Sequence, residues 1–281
     1  MPAPGPLGEY LRARRELVDP GAAGLRVVGV RRTPGLRREE VATLAGISAD
    51  YYLRLEQGRD RNPSRQVLEA LARVLRLDEA ATAYLLGLGA GAQPAPGRRA
   101  RREPVPAEVL DLVASLDLPA FVEDRRFDVL AANPVATALD PSMVAGTNRL
   151  RAYFLDEQVR GLYPDWERSL RGMVAAFRAS IGTDVNDPRT QQLVGELSLA
   201  SERFRVLWAR HDVTAIAGGR ATVDHPVVGT MDLRRQKLPI GDTDGQILVI
   251  YHAAPATPSA GALRRLAAIA SGTAPAVESA G

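Results

Sequence analysis

The chain has 281 residues, 46% hydrophobic and 25% charged, the balance of a globular protein with room for one large domain or two ordinary ones. No apolar run approaches the roughly 18 residues of a membrane span, and Met1 to Gly8 lacks the basic and apolar regions of a secretory signal. Without cysteine there are no disulfides and no thiolate metal sites, so no membrane partner and a cytoplasmic location are expected. The net charge of +3 is uneven. Residues 1–103 carry 18 Arg against 12 acids, and residues 104–281 carry 18 Arg and Lys against 21 acids. A polyanionic partner is therefore expected for the first part.

In chain order, "LGEYLRARREL" predicts a first helix with Leu7, Tyr10, Leu11 and Leu17 inward and Arg12, Arg14 and Arg15 outward. Val18 to Gly35 is longer than an ordinary helix connection. Its Arg26, Arg31 and Arg32 suit either a solvated insertion or contacts to phosphates. "EEVATLAGISADYYLRLEQG", Glu39 to Gly58, then predicts two short helices in close succession. Val41, Leu44 and Ala45 form one apolar face, and Gly46 stops the first helix. Ser48 caps the second, with Asp50 in its positive first turn and Tyr52 and Leu55 packing inward. Ala49, Asp50, Tyr51, Leu53 and Arg54 point elsewhere. Two helices joined by a glycine turn, the second exposing polar groups, form a helix-turn-helix. Ser64 and Asp78 are expected caps for two further helices, carrying Leu68 and Leu71, then Tyr84, Leu85 and Leu88.

"GLRREEVATLAGISADYYLRLEQGRDRNPS" resembles the Cro/C1-type (XRE) helix-turn-helix family, in the variant found with an MmyB-like ligand-binding domain. The resemblance implies that Glu39 to Ala45 supports a recognition helix, Ser48 to Gln57, in the major groove of double-stranded DNA. The expected DNA-binding set is Arg37, Arg38, Ser48, Ala49, Asp50, Tyr51, Arg54, Arg59, Arg61 and Ser64. Arg38 matches a phosphate-contacting position. Arg37 stands where the family often has a capping threonine, so that helix start must be capped otherwise. Ala49 stands where a glutamine often reads adenine, and a methyl offers no hydrogen bond.

Gly87 to Pro106, rich in Gly, Ala, Pro and Arg, reads as a linker. The expected boundaries are 1–90 for the DNA-binding domain, 91–106 for the linker and 107–281 for the second domain. The cluster Arg98, Arg99, Arg101 and Arg102 is either a solvated hinge or an arm along the phosphate backbone. Beyond it, Ala120–Glu123 and Phe127–Ala131 read as strands, and Asn133–Pro134 open a helix. Long amphipathic helices follow, one with Trp166, Leu170, Met173, Val174 and Phe177, another with Leu193, Leu197, Phe204 and Trp208. "VTAIA" then reads as a strand, "GGRA" as a turn, and "DHPVVGTMDLRRQKLPI" and "QILVIYHAAP" as strands either side of "GDTDG". A last helix spans Ala260 to Ala270. The aromatic stripes suit either a core or the wall of an apolar ligand cavity.

"NRLRAYFLDEQVRGLYPDWE", "LSLASERFRVLWARHDV" and "DHPVVGTMDL" resemble the MmyB-like ligand-binding domain. This implies a PAS-like fold and a small-molecule sensor, with fatty-acid-like ligands associated with the family. The fold class is thus α+β: an all-α helix-turn-helix domain, then a PAS-like α/β domain with an antiparallel sheet and long helices. The expected ligand-binding set is Tyr153, Phe154, Trp166, Phe177, Phe204 and Trp208, with Arg151 and Arg205 as cations. No phosphate loop, nucleophile elbow or HExxH helix is present, and the three histidines are far apart in sequence. The reading is a transcriptional regulator, a repressor rather than an activator, homodimeric, with no cofactor, no metal and no catalytic residues. Two alternatives stand beside it: a protein–protein or antitoxin-like module, and a hydrolase of hydrophobic substrates.

Overall fold

The computed structural model describes residues 5–25, 31, 35–60, 62–90, 103–182, 184, 187–215 and 218–272. These fall into two compact units. The first holds the described residues within Met1–Arg99, Val174–Ser198 and Glu202–Ala215, and the second those within Ala100–Met173, Leu199–Ser201 and Ile216–Gly281. The described residues of 174–198 and 202–215, which follow the first strands in the sequence, thus group with the N-terminal helices.

The first unit begins with α1 (Pro6–Leu17), α2 (Arg38–Ala45), α3 (Ala49–Glu56), α4 (Arg65–Val74) and α5 (Glu79–Gly89). Local chemistry sets their ends. Ser48, Ser64 and Asp78 each accept the backbone N–H three residues on. Gly46 has φ +70°, the left-handed turn between α2 and α3. An arginine side chain has no acceptor, so Arg37 cannot cap α2. Glu40 does so in reverse, its Oε2 accepting the Arg37 N–H at 2.6 Å. The core is built from Tyr10, Leu11, Leu36, Val41, Tyr52, Leu55, Leu71 and Leu85. Three side chains depart from the sequence expectation. Arg15 lies four residues after Leu11 and eight after Leu7, so it shares their buried stripe, and Leu17 is left 43% exposed. Leu44 is 41% exposed, because the buried face of α2 centres on Val41 and Ala42 and Leu44 sits about 200° round from Ala42.

The second unit contains α6 (Ala107–Ser115), β1 (Ala120–Glu123), β2 (Val129–Ala132), α7 (Pro134–Leu139), α8 (Arg149–Leu155) and α9 (Glu157–Gly161). Helix α10 (Trp166–Ile181) contributes residues through Met173 here and later ones to the first unit. The first unit also holds α11 (Pro188–Ala200) up to Ser198 and α12 (Glu202–Ala209), which break at Ser201 what the spacing suggests is one stripe. Strands β3 (Gly219–His225), β4 (Gly229–Pro239) and β5 (Ile247–His252), then α13 (Pro258–Ala270), complete the second unit. The sheet is antiparallel in the order β2-β1-β5-β4-β3.

The strand expectations near residue 220 need correction. Among described residues "VTAIA" forms no strand, and "GGRA" is not a turn but the start of β3. Gly218 is required by close approach: a Cβ there would meet the Arg235 carbonyl oxygen at 2.5 Å. The real turn is Pro226–Val228, where His225 Nδ1 accepts the N–H groups of Val227 and Val228 and Gly229 has φ +83°. Its valines disguise it. Likewise β2 starts at Val129, because Phe127 takes φ +65° in a turn held by Asp124 Oδ1, which accepts the N–H groups of Arg126 and Asp128.

A candidate DNA-binding face and a buried polar centre

In the first unit, the exposed surface of α3 carries Ala49 and Asp50, with Arg54 partly exposed. Arg54 Nη1 donates to Asp50 Oδ2, one helical turn away, and its guanidinium lies 5.6 Å from the Tyr51 ring centroid. Burial and the Asp60 carboxylate hold the Tyr51 phenol above its ordinary pKa, so it remains a neutral donor. Arg38 is half exposed and its Nε donates to Glu56 Oε2 at 2.6 Å. The other oxygen of the buried Glu56 accepts from Arg15 Nε at 2.6 Å, and Arg15 Nη1 donates to the Leu36 carbonyl at 2.8 Å. One carboxylate therefore ties α1, α2 and α3 together. Arg37, Arg59, Ser48 and Ser64 are also exposed along this stretch, the serines serving as caps. Arg61 lies outside the described residues, as do Arg26, Arg32 and the arginines of 98–102. Arg31 is not spread towards solvent: it makes a two-pronged pair with Glu40 at 2.7 and 2.8 Å.

The aromatic ligand candidates divide. Phe177, Phe204 and Trp208 lie in the first unit, where Trp208 stacks on Phe204 at 5.8 Å and tilts against Phe177 at 5.9 Å. Arg178 covers the indole at 3.7 Å and donates to the Trp208 carbonyl. Nearby Tyr10 meets Tyr84 at 5.2 Å and His211 at 6.2 Å. Burial, with Arg178 and Arg14, lowers the His211 pKa to about 3, so the ring is neutral. Arg205 donates to the Ser198 carbonyl at the surface.

Tyr153 and Trp166 lie in the second unit, stacked at 5.3 Å, with Tyr163 5.0 Å from Tyr153. Phe154, half-buried, follows Tyr153 on α8. Arg151 is exposed and lines an open surface groove of about 490 Å³ with Asp156 and Glu157.

The sheet of this unit carries a group that sequence reading missed. Side chains alternate along β1, so Ala120 and Val122 pack with Val113 of α6 while Phe121 and Glu123 face the other way. The register places Phe121 opposite Val249, Val249 opposite Lys237, and Tyr251 opposite Arg235. That same face thus gathers Glu123, Arg235, Lys237 and Tyr251. Arg149, at the start of α8, meets it: Nη1 donates to Glu123 Oε2 at 3.0 Å, while Lys237 Nζ donates to Oε1 at 2.8 Å. Burial pushes the Glu123 carboxyl up, but Lys237 and Arg149 outweigh it and hold the pKa below the ordinary value. Tyr163 Oη donates to Asp140 Oδ2 at 2.6 Å. The available cue was spacing: Arg149 lies four residues before Tyr153, on its face of α8, whereas Arg151 lies about 200° away from Arg149.

Among the described residues no helix is long and apolar enough to cross a membrane, and no cluster of His, Asp and Glu could hold a metal. Residues 6–85 match a helix-turn-helix domain family, and residues 105–266 match the MmyB-like transcription regulator ligand binding domain. No curated protein matches the chain. The first range covers helices α1 to α4 and most of α5, and the second covers the five-stranded antiparallel sheet. The chain belongs to the MmyB-like transcription regulator ligand binding domain family, and with its helix-turn-helix it is a ligand-sensing, DNA-binding transcription regulator.

Proposed function

We propose that this regulator is a repressor that binds a two-fold DNA site as a homodimer and responds to a small apolar, fatty-acid-like ligand. The observation that carries the DNA half is the α3 face, where Ala49, Asp50, Tyr51 and Arg54 sit on a helix fixed from behind by Tyr52, Leu55 and Glu56. Arg37, Arg38, Arg59, Ser48 and Ser64 flank it as backbone contacts, and Arg61, which follows in the sequence, is proposed to join them. One such helix covers only a few base pairs, and two half-sites about one helical turn apart give useful affinity. The ligand half is supported by the aromatic group Tyr153, Tyr163 and Trp166 beside buried cations in the second unit. Phe177, Phe204 and Trp208 act as packing within the first unit.

The test is retardation and footprinting of selected duplex DNA by the full chain, with and without decanoate. The expected result is a two-fold footprint that salt weakens and decanoate alters. A single half-site bound by a monomer, or a footprint insensitive to every apolar ligand tried, would count against the respective half of the reading.

A further inference from the structure

The ligand-binding family matches residues 105–266, yet the described residues of 174–198 and 202–215 group with the N-terminal helices. Within the first unit they form an arm that reaches α1 and α5. Asp212 Oδ1 accepts from Arg14 Nη1 of α1 at 2.5 Å, and the His211 ring meets Tyr10 edge-on. Arg178, laid over Trp208, also reaches the Tyr84 side chain of α5.

This junction is poorly matched. The core of the N-terminal helices takes its buried residues from Leu7 to Leu88. Of the described arm residues only Val213, partly buried, packs against that core. Phe177, Phe204 and Trp208 pack on one another instead. What joins the arm to α1 and α5 is therefore mostly polar. Asp212 must also serve Arg210, whose Nε donates to its Oδ2 at 2.8 Å. Arg14 Nε and Arg178 Nε are buried with no hydrogen-bond partner among the described residues. His211 holds a left-handed φ of +52°, which costs a residue with a side chain. Docking is thus a small difference between opposing effects, and such an equilibrium is readily shifted.

Docking also bears on α3. Gly8 of α1 lies so close to the end of α3 that a Cβ there would collide with the Glu56 carbonyl oxygen. Arg15, the neighbour of Arg14, holds the Glu56 carboxylate, which in turn holds Arg38. The arm grips α1, and α1 fixes the end of α3 by backbone contact and by an ion pair. A shift of α1 is therefore felt by α3 and Arg38. Ala49 and Asp50 of α3 stay exposed while the arm is docked, so the docked form is open to DNA.

We infer that this arm is a releasable brace: docked on α1 and α5, it keeps α3 and Arg38 in their DNA-binding arrangement, and its release lowers DNA affinity. The inference rests on the reading of α3 as the DNA-contacting helix, and it names the element that regulates that site.

Hydrogen exchange and gel retardation of the full chain, with duplex DNA selected from random sequence, test it. Bound duplex favours the docked form, so it should slow exchange in α12 and residues 210–214 about ten-fold. Asp212→Asn removes the tie to Arg14 and should speed the same exchange by about 10- to 100-fold, the worth of a charged hydrogen bond. It should also weaken duplex binding several-fold. The sign is diagnostic, because losing an acid that played no part in docking would tighten binding to a polyanion. The chain has no cysteine, so Arg14→Cys with Asp212→Cys can be bridged by a short bis-maleimide at those two thiols alone. The bridged protein should regain the affinity that the unbridged double variant loses. Should the variants fail to fold, exchange of the unaltered chain with and without duplex decides. Exchange in residues 202–214 indifferent to bound duplex, or binding by Asp212→Asn unchanged or tighter, overturns the brace and leaves α3 as the DNA-contacting helix. Failure of the unaltered chain to retain any selected duplex overturns the reading of α3, and the brace with it.

Discussion

Each unit of this protein buries a glutamate between two cations, and the two arrangements differ in what they leave over. In the first unit, Glu56 is shared by Arg15 and Arg38; Arg15 also reaches the Leu36 carbonyl, and Arg38 remains half in water. In the second, Glu123 is shared by Arg149 and Lys237, both buried, and two donors of Arg149 have no described partner. The first arrangement works as a clasp for three helices. The second keeps both cations out of water, with two donors of Arg149 unmatched among the described residues. The two glutamates thus differ in how much of the charge around them stays in reach of solvent.

The largest expected effect is Glu123→Ala, which strands two cations side by side and should cost about 3–5 kcal/mol in urea unfolding of the second unit. Glu56→Ala should cost less, about 2–4 kcal/mol, because Arg38 can turn to solvent and only Arg15 is stranded. A loss at Glu56 larger than that at Glu123 would reverse the comparison.

Acidification tests Glu123 next. The folded-state pKa of Glu123 is depressed, so its contribution is present above its ordinary value of 4.5 and lost as pH falls through the lower folded value. Subtracting the Glu123→Gln stability curve from that of the unaltered protein should show that loss on the acid side of 4.5. A difference curve flat throughout would mean that the carboxyl titrates normally.

DNA binding gives the smaller effects. Arg38→Ala should lower the salt dependence of binding by about one unit and weaken all sequences alike. Its cost in folding stability should stay at about 1 kcal/mol, because the buried Glu56 keeps its hydrogen bond from Arg15. A loss confined to particular sequences would move Arg38 from phosphate to base. Asp50→Asn should tighten binding only a few-fold, roughly 0.5–1 kcal/mol, by releasing Arg54 and removing a charge that repels phosphate. Weaker binding in a gel-shift titration would instead make Asp50 a base-reading group.

Legibility from sequence followed distance along the chain. The caps at Ser48, Ser64, Asp78 and Asn133 and the stop at Gly46 were readable because each depends on neighbours within a few residues. The charged pairs were not. Arg15 finds Glu56 41 residues on, Arg149 finds Glu123 26 residues back, and Lys237 meets Glu123 across 114 residues. An arginine on an apolar stripe looks outward until its partner is known, so sequence reading sets Arg15 outward and passes over Arg149, both of which are buried. Gly218 misled for a related reason: its demand comes from the Arg235 carbonyl on the next strand, and locally it resembles a turn. Helix-turn-helix geometry is local and was recovered nearly whole, whereas the interior of the second unit depends on strand register.

Lys237 is the one lysine among the 36 basic residues of the sequence, and its Nζ is hydrogen-bonded to Glu123 and seated 5.0 Å from the Phe127 ring centroid. The chain's sole side-chain primary amine is thus hidden on the sheet face beside the guanidinium of Arg149. Acylating reagents can reach it only when that face opens, so the rate of its labelling reads the breathing of this interior without any introduced probe.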